Sequence, residues 1–330
     1  MTSKQIHGIG ILSGGLDSLL AVKVLQDQGL SLLGIVYTTP FFDLRPGRNL
    51  EEVLGIPVRI IDLTEKHLQL LRNPVYGFGQ HMNPCIDCHA LMLREAGRIM
   101  EAEAAGFLFT GEVLGQRPMS QRRDSMRSVE KLAGYVGRVV RPLSAKLLEP
   151  TIPELEGVID RSRLLDISGR GRKRQMALAE HYGIKDYPQP GGGCLLTREG
   201  FAGKLRMLLD TIPHAGRREV ELLKYGRHFK LSPRTILALG RDRRDNEKLE
   251  SLSGPEDTLL RAPDYPGPTG LLLGPSCAPA ELELAARVVV AHGDAPTGSS
   301  TQVVWSRGRE RGRIVVSQTH REAFRDLMVV

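Results

Sequence analysis

The sequence predicts an α/β protein: a doubly wound, mostly parallel sheet, then a smaller α+β domain. Three observations carry this. Short apolar runs alternate with helical patterns over about the first 190 residues, as in sheets built from strand–helix–strand units. A glycine-rich turn follows the first run and opens the first helix. The Pro/Gly segment Tyr187-Pro-Gln-Pro-Gly-Gly-Gly193 then breaks the alternation, and shorter strand-like pieces follow it.

The strands expected in the first part are residues 6–12, 32–37, 58–62, 107–110 and 164–166. Between the first two, residues 18–28 read as a helix. Ala21, Val24 and Leu25 share one face, and Gly29 supplies the stop. A second helix is expected from about residue 90 to 104, with Met92, Ala96, Ile99 and Met100 on one side. The domain boundary is placed at 1–200 and 201–330. In the second part residues 201–210 and 281–292 read as helices, and 225–231, 236–239 and 270–273 as strands. Residues 302–305 and 314–317 read as a closing hairpin, and 262–270 and 295–300 as loops.

The composition is that of a soluble globular protein, with 41% apolar and 25% charged residues. No apolar run approaches the ~18 residues of a membrane span, and no signal peptide is read. A cytoplasmic location is expected. The net charge of +7 and pI near 9.3 favour a polyanionic partner, nucleic acid above all. Surface basicity kept for solubility is the plain alternative.

Ser13-Gly14-Gly15-Leu16-Asp17-Ser18 carries the chemistry. Two glycines let the backbone turn tightly and expose amides, and the helix start adds free N–H groups and a positive dipole end. Ser13 and Ser18 can donate to phosphate. Asp17 would repel phosphate, so it suits a helix cap or a Mg²⁺ ligand. The plain alternative is a capped strand–turn–helix with no ligand. The Lys of the P-loop of kinases and GTPases is missing.

Ser-Gly-Gly-x-Asp-Ser resembles the signature of the PP-loop ATP pyrophosphatases, with the adenine nucleotide alpha hydrolase-like fold. That resemblance implies ATP, Mg²⁺ and adenylation of a substrate. Thr110-Gly111-Glu112-Val113-Leu114-Gly115-Gln116 with Ser120-Gln121, and Arg141-Pro142-Leu143, resemble segments of tRNA 4-thiouridine synthetase. The resemblance covers about residues 5–200 and implies a uracil carbonyl in tRNA as acceptor. It places Gly111 and Gln116 near the nucleotide or the target base. That family's RNA-binding N-terminal domains and C-terminal rhodanese domain have no counterpart here, so RNA docking and a sulfur donor, sulfide or a persulfide carrier, are expected from elsewhere.

Cys85, Cys88 and Cys194 are expected to handle sulfur. Three readings stand beside each other. A [4Fe-4S] cluster on three thiolates is favoured and looks like the cluster-dependent tRNA thiolation enzymes, which share the PP-loop core. A persulfide relay would use a thiol acidified at a helix start. Structural zinc would need His81, His89 or Cys277 as a fourth ligand. Buried, unreactive cysteines are the plain alternative, and Cys277 reads as a bystander.

Arg161, Arg163, Arg170, Arg172, Lys173 and Arg174 form one basic cluster, and Arg117, Arg122, Arg123 and Arg127 another. They could follow a phosphate backbone or be solvated faces. Gly240-Arg241…Asn246-Glu247 and the pieces after it loosely resemble the NFACT RNA-binding module over about residues 215–330. Trp305 would stack on a base there or pack in a hairpin. The expectation is thus an ATP-dependent tRNA thiolation enzyme. A small-molecule acceptor, or a non-catalytic RNA-binding scaffold, are the rivals. A homodimer is left open.

Overall fold

A computed structural model describes residues 5–42, 49–187, 193–273 and 278–329. Cys277, Gly191 and Gly192 lie outside the described residues. The chain divides into two compact units, Met1–Cys194 and Leu195–Val330.

The first unit is built on five parallel strands: β1 (Gly8–Ile11), β2 (Leu32–Thr38), β3 (Val58–Asp62), β4 (Phe107–Thr110) and β5 (Val139–Val140). Their order is β3-β2-β1-β4-β5. The crossovers carry α1 (Leu16–Gln26), α2 (Leu50–Leu54), α3 (Thr64–Arg72), α4 (Cys85–Ala102) and α5 (Arg123–Ala133), followed by α6 (Ile152–Leu155) and α7 (Lys173–His181). Successive residues of a strand serve opposite faces. Leu32, Val36, Phe107 and Phe109 share one core with α1. Leu33, Ile35, Tyr37 and Leu108 share the other with α4 and α5. This is the expected doubly wound sheet, buried on both sides. Each fully buried Leu, such as Leu19 and Leu25 of α1, contributes ~2 kcal/mol of transfer free energy.

β1 lies between β2 and β4, so connections leave it in both directions. Open sheets bind ligands outside the strand ends at such a reversal. Two glycines make the junction fit. A Cβ on Gly8 would stand 2.4 Å from the Phe107 ring, and one on Gly10 would stand 2.2 Å from Phe109. Only bare backbone lets these rings lie across β1.

The second unit begins with α8 (Glu199–Thr211) and α9 (Arg217–Leu222). β6 (Arg227–Ser232), β7 (Thr235–Leu239), α10 (Arg243–Ser251), β8 (Thr258–Arg261), β9 (Gly270–Leu273), α11 (Pro279–Ala291), β10 (Ser300–Arg307), β11 (Glu310–Ser317) and β12 (Met328–Val329) follow. The strands form one antiparallel sheet, β11-β10-β8-β9-β7-β6-β12. α11 supplies Ala285, Val288 and Val289 to its core.

Several expectations shift. Residues 164–166 are not a strand; β5 takes that place in the sheet. The 164–167 stretch runs beside 142–143, and Leu165 and Ile167 donate to the Pro142 and Leu143 carbonyls. Pro142 has no N–H to return, so a regular ladder cannot form. α1 begins at Leu16 rather than Ser18, and α4 at Cys85 rather than near residue 90. Within the Gly240–Leu249 run, residues 243–249 belong to helix α10, which continues to Ser251. Among the described residues no helix is long and apolar enough to cross a membrane.

Candidate functional site

The loop after β1 has the expected form. Gly14 adopts φ +69°, the left-handed region that glycine enters without penalty. The Gly15 amide donates to Ser13 Oγ at 3.3 Å, and Ser18 Oγ donates to the Gly15 carbonyl at 2.8 Å. Gly15 is the N-cap and makes no side-chain cap hydrogen bond. Asp17 and Ser18 therefore sit inside the first turn, where the amides lack intrahelical acceptors. Asp17 is not the cap, which corrects that expectation.

Gln116 Nε2 donates to Asp17 Oδ2 at 3.1 Å. The other oxygen, Asp17 Oδ1, is buried and has no hydrogen-bond partner among the described residues. An orphaned carboxylate oxygen beside amides that lack intrahelical acceptors fits a Mg²⁺ ligand. Gly111 leaves β4 directly against α1. A Cβ there would stand 2.5 Å from Ser18 N and 2.6 Å from the Asp17 carbonyl carbon. Gly111 thus seats the helix that bears the loop. The structure brings Gly111 and Gln116 beside the Ser13–Ser18 loop.

Behind this face lies a buried charge network. Arg141 sends Nε to Glu112 Oε2 at 2.9 Å and Nη1 to Glu130 Oε1 at 2.5 Å. Thr110 Oγ1 donates to Glu112 Oε2 at 3.1 Å, and His89 Nδ1 lies 3.0 Å from Glu112 Oε1. Burial alone would raise the Glu112 pKa. The Arg141 charge and the His89 hydrogen bond outweigh it and hold the carboxyl at about 2. Glu112 thereby ties β4 to α4 and to the segment after β5. His89, weighed earlier as a zinc ligand, is committed to this carboxylate. Glu130 was missed as a partner; it lies on α5 and no spacing signal joins it to Arg141.

Cys85 and Cys88 occupy the first turn of α4. Asn83 Nδ2 donates to Cys85 Sγ at 3.4 Å. Cys194 comes near enough that its charge acts on Cys88. Burial pushes the Cys88 thiol well up, and the Cys194, Cys85 and Asp87 charges push it further. For Cys88 this runs against the expectation of an acidified thiol: burial and three acidic neighbours disfavour its thiolate. Among the described residues no three His, Cys, Asp or Glu side chains are grouped to hold a metal ion. Among those residues the structural zinc reading has no ligand set and the three thiols form no such group, while Cys277 lies outside them.

The basic clusters separate into structural and open members. Arg161 binds Glu154 and the Ala145 and Leu148 carbonyls. Arg163 donates to the Asp27 carbonyl, Arg174 to Asp166 and Arg123 to the Leu147 carbonyl. Trp305 packs across Gly312, where a Cβ would stand 2.5 Å from the indole. Its role in the hairpin is packing.

Residues 226–328 match the sequence profile of the NFACT protein RNA binding domain. Over 117 residues the chain is 33% identical to the tRNA-specific 2-thiouridylase MnmA of Syntrophotalea carbinolica, covering 30% of this chain and 33% of that protein. Over 87 residues it is 32% identical to the tRNA-specific 2-thiouridylase MnmA of Campylobacter concisus, covering 24% of this chain and 26% of that protein. The chain spans a third or less of the length of these curated relatives. A solved structure, a predicted subunit of tRNA methyltransferase from Methanocaldococcus jannaschii, superposes with a TM-score of 0.28 at 20% identity, over 42% of this chain and 69% of that one. That superposition is too loose to bear on the site. In part of its length the chain is similar to tRNA-thiolating PP-loop enzymes, and in its C-terminal unit to an RNA-binding domain.

Proposed function

We propose that this chain is an ATP-dependent tRNA sulfurtransferase, with residues 1–200 as the catalytic domain and 201–330 as the RNA-docking domain, acting in the cytoplasm. The observation that carries the reading is the Ser13–Ser18 loop at the sheet's reversal point, with Gln116 holding one Asp17 oxygen and the other left free. The partial similarity to 2-thiouridylases supports the acceptor class.

In this reading the Ser13 and Ser18 hydroxyls and the first amides of α1 hold the ATP phosphates. Asp17 would hold Mg²⁺, which neutralises phosphate charge. Gln116 keeps the Asp17 carboxylate aimed at that position. The uridine carbonyl oxygen attacks the α-phosphorus and pyrophosphate leaves. Sulfur then bonds to the activated carbon, and AMP departs with the former carbonyl oxygen.

Cys85, Cys88 and Cys194 are proposed to handle that sulfur. A [4Fe-4S] cluster on these thiols, once they close around it, would supply a site that binds sulfide. The raised Cys88 pKa weighs against a relay in which Cys88 attacks, since the thiolate is the nucleophile.

The test is incubation with ATP, Mg²⁺, sulfide and tRNA after anaerobic iron–sulfur reconstitution. AMP and pyrophosphate are measured together with thiouridine in digested tRNA. AMP release that requires tRNA, matched by thiouridine, is the expected result. AMP release without any change in tRNA nucleosides would move the acceptor to another molecule. Absence of absorbance near ~400 nm after reconstitution would remove the cluster and leave the adenylation.

A further inference from the structure

The C-terminal unit holds a second site unrelated to the ATP loop. β6, the residue after α11, and the 3₁₀ turn Arg321–Leu327 line an open concavity of about 370 Å³. That lies within the ~300–1,000 Å³ of small-ligand sites and suffices for one nucleotide. Every lining residue falls within the stretch that matches the RNA-binding profile.

Three arginines, Arg227, Arg321 and Arg325, line this concavity with one acidic residue, Glu322. Some arginines of the same unit are tied down, Arg218 to Asp257 and Arg261 to Glu250. Arg227 and Arg325 make no ion pair among the described residues, and Arg321 Nε stands 3.8 Å from Glu322 Oε1, beyond hydrogen-bond reach. Uncommitted guanidinium groups around a concavity are suited to phosphate.

The floor is apolar and aromatic. Phe229 and Phe324 are buried beneath it, and Met328 and His292 are partly exposed. The His292 ring meets Phe229 edge-on, with centroids 5.4 Å apart, and its Nδ1 lies 2.9 Å from the Val288 carbonyl. Burial, then the Arg227 and Arg321 charges, lower the His292 pKa. The imidazole is therefore a neutral, oriented plane beside a cationic rim. A flat apolar surface next to phosphate-binding groups matches a base joined to its phosphate.

We propose that this cavity takes one unstacked nucleotide of an RNA, its base against His292 and Met328 and its phosphates on Arg227, Arg321 and Arg325. This rests on the reading that the chain binds tRNA, and it assigns where one contact is made.

The experiment measures binding of the full chain to tRNA and to a short oligouridylate by fluorescence anisotropy across a salt series. The R321A/R325A double variant removes two exposed side chains, and a thermal melt verifies that it folds. Its affinity should fall ~10-fold near 0.1 M salt, with the slope of log affinity against log salt shallower by about 1 to 2. His292→Ala should weaken binding ~5-fold or more with the salt slope unchanged, the sign of lost stacking. Uridine monophosphate should compete, and ribose 5-phosphate should do so poorly. Wild-type affinity and slope in R321A/R325A would overturn the cavity assignment while leaving tRNA binding intact. Failure of the wild-type chain to bind either RNA would overturn both this assignment and the tRNA reading, whereas ATP binding tests the loop by itself.

Discussion

Gln116 Nε2 reaches Asp17 Oδ2 at 3.1 Å across 99 positions of sequence. The bond joins the loop after β1 to the segment after β4. It fixes one carboxylate oxygen and leaves the other free. Asp17→Asn should lower AMP formation ~100-fold or more, by removing the charge proposed to hold a metal at the phosphates. Gln116→Ala should cost less, ~10-fold, since the charge stays and only its aim is lost. Steady-state pyrophosphate release reads both. Equal effects would refute a purely orienting role for Gln116.

Gly111→Ala places a methyl group 2.5 Å from backbone nitrogen. Backbone cannot rotate aside as a side chain would, so α1 must move. The expected cost is about 1–3 kcal/mol of stability, with weakened ATP binding by calorimetry. Gly171→Ala is the control, because nothing lies within 4 Å of its added Cβ. A normal melt and normal ATP affinity for Gly111→Ala would contradict the seating role.

Glu112→Gln leaves Arg141 with one carboxylate instead of two. Breaking one side of a buried ion pair costs about 3–5 kcal/mol, so the variant's melting temperature should drop sharply. The native carboxyl, held at about 2, well below the ordinary glutamate value of 4.5, adds stability that is present above pH 4.5. It is lost as the pH falls from there toward 2.

His67 gives acid sensitivity at higher pH. Both ring nitrogens are buried without partners among the described residues, and the ring packs edge-on against Phe41 at 5.1 Å. Burial lowers its pKa from 6.5 to about 4. The unfolded chain therefore binds the proton first as the pH falls below 6.5, and stability declines down to about pH 4. The full window is worth ~3 kcal/mol. Chemical denaturation of His67→Leu should show a flatter profile over that window than the parent. Parallel profiles would exclude His67 as the source.

Cys88 should alkylate slowly near neutral pH, because its thiol resists ionisation. Cys194→Ser removes one of the charges that suppress it, so Cys88 labelling should become faster. Iodoacetamide kinetics read by peptide mapping test this, and no acceleration would separate the two sulfurs.

The sheet and its loop were legible because they depend on local signals: apolar runs, stop glycines and a hexapeptide between strand and helix. What escaped depends on distant partners. β5 is two residues long, too short for a periodicity. Residues 164–166 look like a strand until Pro142 is seen beside them with no amide to offer. Arg161 and Arg163 look like RNA-binding charge, but they hold carbonyls and carboxylates of their own unit. The helix start suggests an acidified thiol in the Cys85–Cys88 pair, and for Cys88 burial and the neighbouring acidic groups reverse that sign.

Glu112 touches three elements at once through His89, Arg141 and Thr110. A single carboxylate thus acts as a spacer gauge for the unit. It sets how far the thiol-bearing helix stands from the strand that seats the nucleotide loop. Under the proposed reaction, adenylation and sulfur delivery would then be held on one frame whose spacing a single carboxylate governs.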